Sequence, residues 1–366
     1  MKVLIAEVST HTMNLENIYH LLKNKCSFAF YFNNFKKRNH DLLLLFPSVS
    51  RAQVIRNRFH SATFFIWLLF YGRKYDYINV STGPETSYFN QIINIIFFYI
   101  CCVVYREKII LTVKNIRPYL KSTGGLFSFL RSKSIENLKR FTFETETQRD
   151  YFFKSADINT CCLGVSYTRY TDLLDHQFYY IADRHPHDSV RIGLLGAINR
   201  KRRNYDIIID VLKQMSIEER SNLTFVTLGG CPGASNNEVI KDLSEYVKVD
   251  CQKKMFLSAH EFDVRGASCD LLVSPLIKKK EYGKFKGTGS FGDAVYLRRK
   301  VILPSYVDEN REFDEASIYY KDSDELLMIF RNLKELSAAE VPHQFFERFT
   351  TGNVFKKLVK DLRLCL

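Results

Sequence analysis

Short apolar runs rich in β-branched and aromatic residues alternate with helix-length segments along the whole chain. The first series reads Lys2–Val8, Ser27–Phe32, Leu42–Phe46, Tyr77–Ser81, Ile109–Val113, Arg140–Phe143 and Thr160–Gly164. A second series restarts at Arg191–Leu195 and continues through Leu223–Leu228, Met255–Leu257, Asp270–Ser274, Val301–Leu303 and Ile318–Tyr320. Apolar strands separated by helical patterns are the signature of parallel sheets with crossover helices, whose strands are covered on both faces. The restart predicts a second sheet, and with it an α/β chain of two Rossmann-like domains. Between the two series, residues 183–189 are polar and proline-bearing, which suits a hinge better than an element interior. The expected division is residues 1–184, residues 185–345 and a helical tail over 346–366.

Two stretches depart from this rhythm. Ile92–Val104 (IINIIFFYICCVV) is nearly all apolar, but its 13 residues fall short of the roughly 20 that a bilayer span needs. A buried core helix is expected there, with an interfacial or re-entrant role as the alternative reading. Arg51–Lys74 interleaves Arg51, Arg56, Arg58, Arg73 and Lys74 with Phe59, Phe64, Phe65, Trp67, Phe70 and Tyr71. Helices lying on anionic membranes have this make-up, and so does a solvated basic helix with an apolar core face.

At 366 residues the chain has room for two domains. With 46% hydrophobic and 25% charged residues it is globular rather than disordered. No internal repeat is visible, which excludes solenoids and propellers. The 9 cysteines are odd in number and sit mostly inside apolar runs, at Cys26, Cys101, Cys102, Cys161 and Cys162, as free thiols of a reducing cytosol do. The opening MKVLIAEVS is too short an apolar run for a signal peptide, and no cysteine or histidine spacing suits zinc. A net charge of +13 points to an anionic partner: nucleic acid, a phosphate-bearing substrate or acidic lipid. Basic residues are spread over both halves and no helix-turn-helix, RNP or finger motif appears, so nucleic acid is not the expected partner.

The chemistry concentrates in Lys284–Pro304, KFKGTGSFGDAVYLRRKVILP, which reads as loop, helix and strand. Gly287, Thr288, Gly289 and Ser290 stand where the loop enters the helix. Free amides and the positive helix end meet there, so the turn should bind phosphate. Lys284 and Lys286 add positive charge to the same entrance, with Lys278–Lys280 upstream. The flanking strands CDLLVSPL and KVILP place the turn at the carboxyl edge of a parallel sheet, where α/β folds hold ligands.

The block CDLLVSPL…KGTGSFGDAVYLRRKVILP resembles the donor-binding signature of GT-B glycosyltransferases, above all the large family-4, "group 1" type. That resemblance implies two Rossmann-like domains facing across a cleft, with the C-terminal helix crossing back to the first. It also implies that Asp293 takes the donor ribose hydroxyls and that the Gly289 and Ser290 amides, with Thr288, hold the diphosphate. RIGLLGAINRKRRNYDIIIDVLKQM is similar to the opening of the family's C-terminal domain. Gly196 is followed there by Arg200, Lys201, Arg202 and Arg203, where the family places the cations that neutralise the leaving diphosphate. Arg202 or Arg203, with Lys286, is expected to act in catalysis. KKMFLSAHEFD, containing His260, is similar to the turn that reads the donor base, and KIILTVKNIRPY to a strand end bearing Asn115 and Arg117.

Two departures stand out. Lys114 replaces a histidine common in the family. The family's paired glutamates are reduced to Asp293, with Phe285 and Lys286 near the first position and Glu281 off its spacing. On the acceptor side, Thr10 and His11 follow the first strand, and FETETQ, with Glu144 or Glu146, resembles the family's Ser-Glu step. The expected activity is transfer of a sugar, with retention, from a nucleotide diphosphate donor, UDP-sugar first, to a saccharide or lipid-linked saccharide in surface polysaccharide or glycoconjugate synthesis. No cofactor or metal is called for by the sequence. The expected location is cytoplasmic and peripheral at the inner face of an anionic membrane. The rival readings are a non-catalytic scaffold that binds sugar nucleotides and, behind it, a basic nucleic-acid-binding protein.

Overall fold

The computed structural model describes residues 1–7, 12–33, 54–57, 61–81, 92–120, 125–156, 162–174, 189–231, 234–252, 254 and 257–365. The chain forms two compact units. Residues 1–167, 285–287 and 351–366 make the first, and residues 168–284 and 288–350 the second.

The first unit is built on a 7-stranded parallel sheet in the order β3-β2-β1-β4-β5-β6-β7. The strands are β1 (Lys2–Glu7), β2 (Ser27–Asn33), β3 (Val54–Asn57), β4 (Tyr77–Val80), β5 (Ile109–Thr112), β6 (Arg140–Phe143) and β7 (Cys162–Val165). They alternate with α1 (Thr12–Leu22), α2 (Ser61–Tyr71), α3 (Ile92–Val104), α4 (Leu126–Asn137) and α5 (Glu146–Ser155). The apolar strands β1, β4 and β5 form the centre, as continuous burial on both faces requires. Phe64 and Phe65 of α2, Phe98, Cys101 and Cys102 of α3, and Ile135 of α4 close one core with Ile78, Leu111 and Phe141. Each fully buried phenylalanine contributes roughly 2 kcal/mol of transfer free energy. The C-terminal helix Thr351–Asp361 belongs to this unit. Its Leu358, with Leu362 beyond it, packs on Gly164 so tightly that a Cβ there would stand 2.7 Å from Leu358.

The second unit holds a 6-stranded parallel sheet in the order β10-β9-β8-β11-β12-β13. Its strands are β8 (Val190–Leu194), β9 (Leu223–Thr227), β10 (Lys248–Asp250), β11 (Leu271–Val273), β12 (Val301–Pro304) and β13 (Ser317–Tyr320). The helices used below are α6 (Tyr205–Gln214), α7 (Ala234–Ser244), α8 (Ala259–Ala267), α9 (Gly289–Leu297) and α10 (Ser323–Arg331). Sequential strands step outward from β8 to β10, then return to the other side at β11. The switch point of this sheet is therefore the gap between the ends of β8 and β11, the place where such sheets hold ligands.

Several expectations need adjustment. Among the described residues of Arg51–Lys74, Val54–Asn57 is a sheet edge, β3, and Ser61–Tyr71 is α-helical, followed by a 3-10 turn at Gly72–Lys74. Phe64, Phe65 and Leu68 are spent on the core, because a helix crossing a sheet must cover it. Leu42–Phe46 and Met255–Phe256 lie outside the described residues, and the strand on that side of the second sheet is Lys248–Asp250. The units divide between Tyr167 and Thr168, ahead of the expected hinge, of which 183–188 lie outside the described residues. The physical reason is packing of the intervening segment on the second unit: Thr168 sits on Gly292 and Thr171 donates its amide to the Phe349 carbonyl at 3.2 Å.

Candidate functional site

At the end of β8 the chain turns through Gly196, whose φ of +71° favours glycine. The guanidinium of Arg203 occupies the space a side chain would take, with Nη2 only 2.1 Å from the position of a Cβ. Arg203 Nη1 donates to the Ala197 carbonyl at 3.0 Å, while its buried Nε meets no partner among the described residues. Its backbone forms an isolated antiparallel bridge to Leu276, just past β11, and the Asn204 amide donates to the Pro275 carbonyl at 2.6 Å. Arg203 is thus clamped over the switch point with donor capacity unspent, an arrangement suited to an anion.

The start of α9 lies at the same place. Thr288 caps the helix, its hydroxyl accepting the Ser290 amide at 3.3 Å, and the Ser290 hydroxyl donates to Ser274 Oγ, also just past β11, at 2.9 Å. Gly289 is exposed, and the nearest atom to a Cβ placed there is Asp293 Oδ2 at 3.9 Å. The first-turn amides of a 9-residue helix therefore open beside Arg203, although the Ser290 amide is partly engaged by its own cap.

Asp293 sits one turn into α9 and pairs through Oδ1 with Arg169 Nε at 2.9 Å. Burial pushes the Asp293 carboxyl above the ordinary carboxylate range, while Arg169 and then Arg203 pull it back. The Arg169 guanidinium lies against two rings, 4.4 Å from the centroid of Phe262 and 4.7 Å from that of Tyr296. Tyr296 Oη donates to Asp263 Oδ1 at 3.0 Å. The Asp263 carboxyl is also raised by burial, and the Tyr296 hydrogen bond, Arg169 and His260 oppose the rise. His260 is exposed in the first turn of α8, a helix started by a Ser258–Glu261 capping box. The Lys254 ammonium, bonded to Glu261 first of all, holds that carboxyl down at about 2.

The remaining cations divide. Arg202 is exposed beside Arg203. Arg200 is turned away into ion pairs with Asp206 of α6 at 2.6 Å and with Asp242 of α7, so its charge is neutralised by neighbouring helices rather than offered beside Gly196. Lys284 pairs with Glu309 at 3.4 Å.

In the first unit, Lys286 bridges Asn115 in antiparallel fashion, and the Gly287 amide donates to the Lys114 carbonyl at 3.0 Å. Glu144 pairs with Lys114 at 3.5 Å, and its carboxylate packs on Gly287, where a Cβ would stand 1.5 Å from Oε2. Gly287 is therefore needed for this close approach, apart from any role in phosphate binding. Asn115 Oδ1 accepts the Arg117 amide at 3.1 Å, and the Arg117 guanidinium lies 5.8 Å from the Phe285 ring centroid. Glu146 pairs with Lys357 of the C-terminal helix and with Arg149. Thr10 and His11 lie outside the described residues.

No family model matches the chain, and no curated protein matches its sequence. Solved structures do match it over its whole length. A glycosyltransferase from Rickettsia africae ESF-5 aligns with a TM-score of 0.64 at 11% identity, covering 100% of this chain and 99% of its own. The α,α-trehalose-phosphate synthase (UDP-forming) from Burkholderia vietnamiensis gives 0.61 at 9% identity, covering 99% and 98%. A putative UDP-N-acetylglucosamine 2-epimerase from Listeria monocytogenes gives 0.56 at 12% identity, covering 97% and 94%. The fold is GT-B. At these identities the likeness is one of fold, and a GT-B fold carries more than one chemistry.

Within this GT-B chain, the sequence pointed to Gly196, Arg203, Thr288, Ser290 and Asp293, and the structure brings them together around the ends of β8 and β11. Sequence reasoning missed Arg169, the ion-pair partner of Asp293, and the rings of Phe262 and Tyr296 that hold it. Arg169 stands in an irregular segment with no periodicity or motif, far in sequence from α9. Its one correlate is Gly292, where a Cβ would stand 1.9 Å from Thr168 Oγ1.

Proposed function

We propose that this chain is a glycosyltransferase that takes a sugar from a nucleotide diphosphate donor, UDP-sugar first, and passes it with retention to a saccharide or lipid-linked saccharide in surface polysaccharide or glycoconjugate synthesis. One observation carries the reading: a clamped arginine with an unspent buried donor, Arg203, shares the switch point of a parallel sheet with the start of α9. As the glycosidic bond to the diphosphate breaks, negative charge grows on the phosphate oxygens. Arg203, with Arg202 and the first amides of α9, stabilises that charge where it develops. Asp293 accepts the ribose hydroxyls while Arg169 holds its other oxygen. His260 and Lys284 are assigned to the donor as well. Lys286 is the other cation proposed to act, and Thr10, His11, Asn115, Arg117 and Glu144 are assigned to the acceptor. The names of two fold neighbours, a UDP-forming synthase and a UDP-N-acetylglucosamine epimerase, support UDP as the base carrier. We place the protein in the cytoplasm, peripheral to the inner face of a membrane.

Release of UDP from UDP-glucose, UDP-galactose or UDP-N-acetylglucosamine in the presence of saccharide acceptors tests the reading. Arg203→Ala should lower turnover by about 100-fold while donor affinity falls much less, since its contact strengthens in the transition state. Equal losses in both parameters overturn that role. A second reading, a sugar-nucleotide-binding protein without turnover, is favoured by Phe285. That ring stands near the family's first acidic position and packs on Tyr151 at 4.8 Å between centroids. Tight UDP binding with no sugar transferred or released from any donor would select it.

A further inference from the structure

We propose that the outer face of α2, α3 and α4 is a docking surface for an anionic lipid bilayer. This deepens the peripheral-membrane part of the proposed function, but it rests on exposed side chains of the first unit alone. The sequence had pointed to Arg51–Lys74 and, as an alternative, to Ile92–Val104; the structure spends Phe64, Phe65 and Leu68 on the core and puts the candidate face on a three-helix layer.

The helix α3 is the anomaly. Its inner side buries Asn94, Ile95, Phe98, Cys101 and Cys102, and Ile92–Val104 contains no charged residue at all. Its outer side is also apolar: Ile93 is 55% exposed and Val104 52%, with Ile96 and Val103 exposed as well. A helix at the surface of a water-soluble protein carries charge on its outer stripe, and one that is apolar all round is expected to be covered. The flanking helices α2 and α4 pack against it and continue the surface. Phe70 of α2 is 75% exposed, beside Tyr71, and Leu126, Phe127 and Phe129 project from α4. Among the described residues, exposed large apolar side chains elsewhere are scattered singly: Phe153 on α5, and Ile217, Val264 and Met328 on different helices of the second unit. Contiguous apolar surface marks an interaction site; single residues do not.

Charge selects the occupant. Residues 61–74, 92–108 and 126–139, the three helices and the turns that follow, contain Arg73, Lys74, Arg106, Lys108, Arg131, Lys133 and Lys139 against Glu107 and Glu136. Both acids are already paired, Glu107 with Lys139 at 2.5 Å and Glu136 with Lys133 at 2.6 Å. Trp67 stacks on Tyr71 at 5.3 Å, and the Lys74 ammonium lies 4.9 Å from the Tyr71 ring centroid. An apolar patch rimmed by surplus cations, with amphipathic aromatics at the edge, matches acyl chains beneath phosphate headgroups. A second copy of the chain would bring the same cation surplus and a net +13 to the contact, which disfavours self-pairing. Insertion across the bilayer is not implied: among the described residues no helix is long and apolar enough to cross a membrane.

The test is sedimentation of the full chain with phosphatidylcholine vesicles made with and without phosphatidylglycerol. The wild type should bind the anionic vesicles at least about tenfold more strongly and be released by salt. Combined Phe70→Glu, Val104→Glu and Phe129→Glu should weaken binding by about 100-fold or more, because each removes a buried apolar contact and adds repulsion. The pair Ile217→Glu and Met328→Glu, on the second unit, should leave binding intact. Should the triple variant melt early, charge reversal at Arg73 and Lys74 replaces it and should weaken anionic-vesicle binding by about tenfold. No preference for anionic vesicles, or undiminished binding by these variants, overturns the proposal. So does a wild-type dimer, seen by light scattering and abolished by the triple variant, since the occupant would then be a second copy. Loss of UDP-sugar turnover with vesicle binding retained would sink the transferase reading alone.

Discussion

Among the residues of the second unit, Arg169 and Asp293 show how a candidate site can be half visible in a sequence. Asp293 could be found because it stands in a helix that begins at a glycine-rich turn. Arg169 could not, because its partnership with Asp293 exists only once an irregular segment has packed on α9. The pair predicts a pH effect. Burial raises the Asp293 carboxyl and Arg169 lowers it, so Arg169→Met removes the nearest cation and raises the carboxyl further. Asp293 would then be protonated at a higher pH than in the wild type, and the acid limb of the kcat/KM profile should move upward. Arg169→Lys should restore part of the shift. An unmoved acid limb in Arg169→Met would mean that Asp293 ionisation does not limit the reaction.

At the scale of elements, the sequence was most legible where a run was long and uniform. Ile92–Val104 forms a helix with the bounds its apolar run implies, and the central strands fall within a residue or two of their expected places. Legibility failed at the first sheet's outer strand, where the described residues that carry the pairing, Val54–Asn57, lie inside a stretch whose basic-aromatic texture suggested a helix. It failed again in α9, where the two glycines look alike in sequence and differ in space. Gly292 faces Thr168, and an added methyl would overlap its hydroxyl; Gly289 opens outward, with its nearest neighbour 3.9 Å away. Gly292→Ala should therefore destabilise the protein by about 1–3 kcal/mol. Gly289→Ala should leave stability near the wild-type value, gaining slightly from reduced freedom of the unfolded chain. Urea denaturation of both variants checks this; equal midpoints would show that the Thr168 segment does not clamp α9.

For the molecule as a whole, the restart of the strand pattern near residue 190 announced two Rossmann-like sheets, and both are present. Composition could not reveal that residues 285–287 and 351–366 belong with the first sheet, because such membership is decided by packing between segments far apart in sequence. A donor held by the folded chain also stabilises it. UDP at about 100 times its dissociation constant should add about 2.7 kcal/mol and raise the melting temperature, and GDP or ADP at equal concentration should do less. Equal shifts with all three would remove the preference for UDP.

The first sheet is closed by pieces made at very different times in synthesis. Leu358 and Leu362 cover Gly164, and the Leu362 carbonyl accepts a hydrogen bond from Arg140 Nε at 2.8 Å. On the ribosome, that face of the sheet stays bare until some 190 further residues have been added, a time in which the second unit can complete its own core. The unit whose sheet is synthesised first is therefore the one that matures last, and a fragment stopping near residue 167 would be an unfinished object rather than a domain.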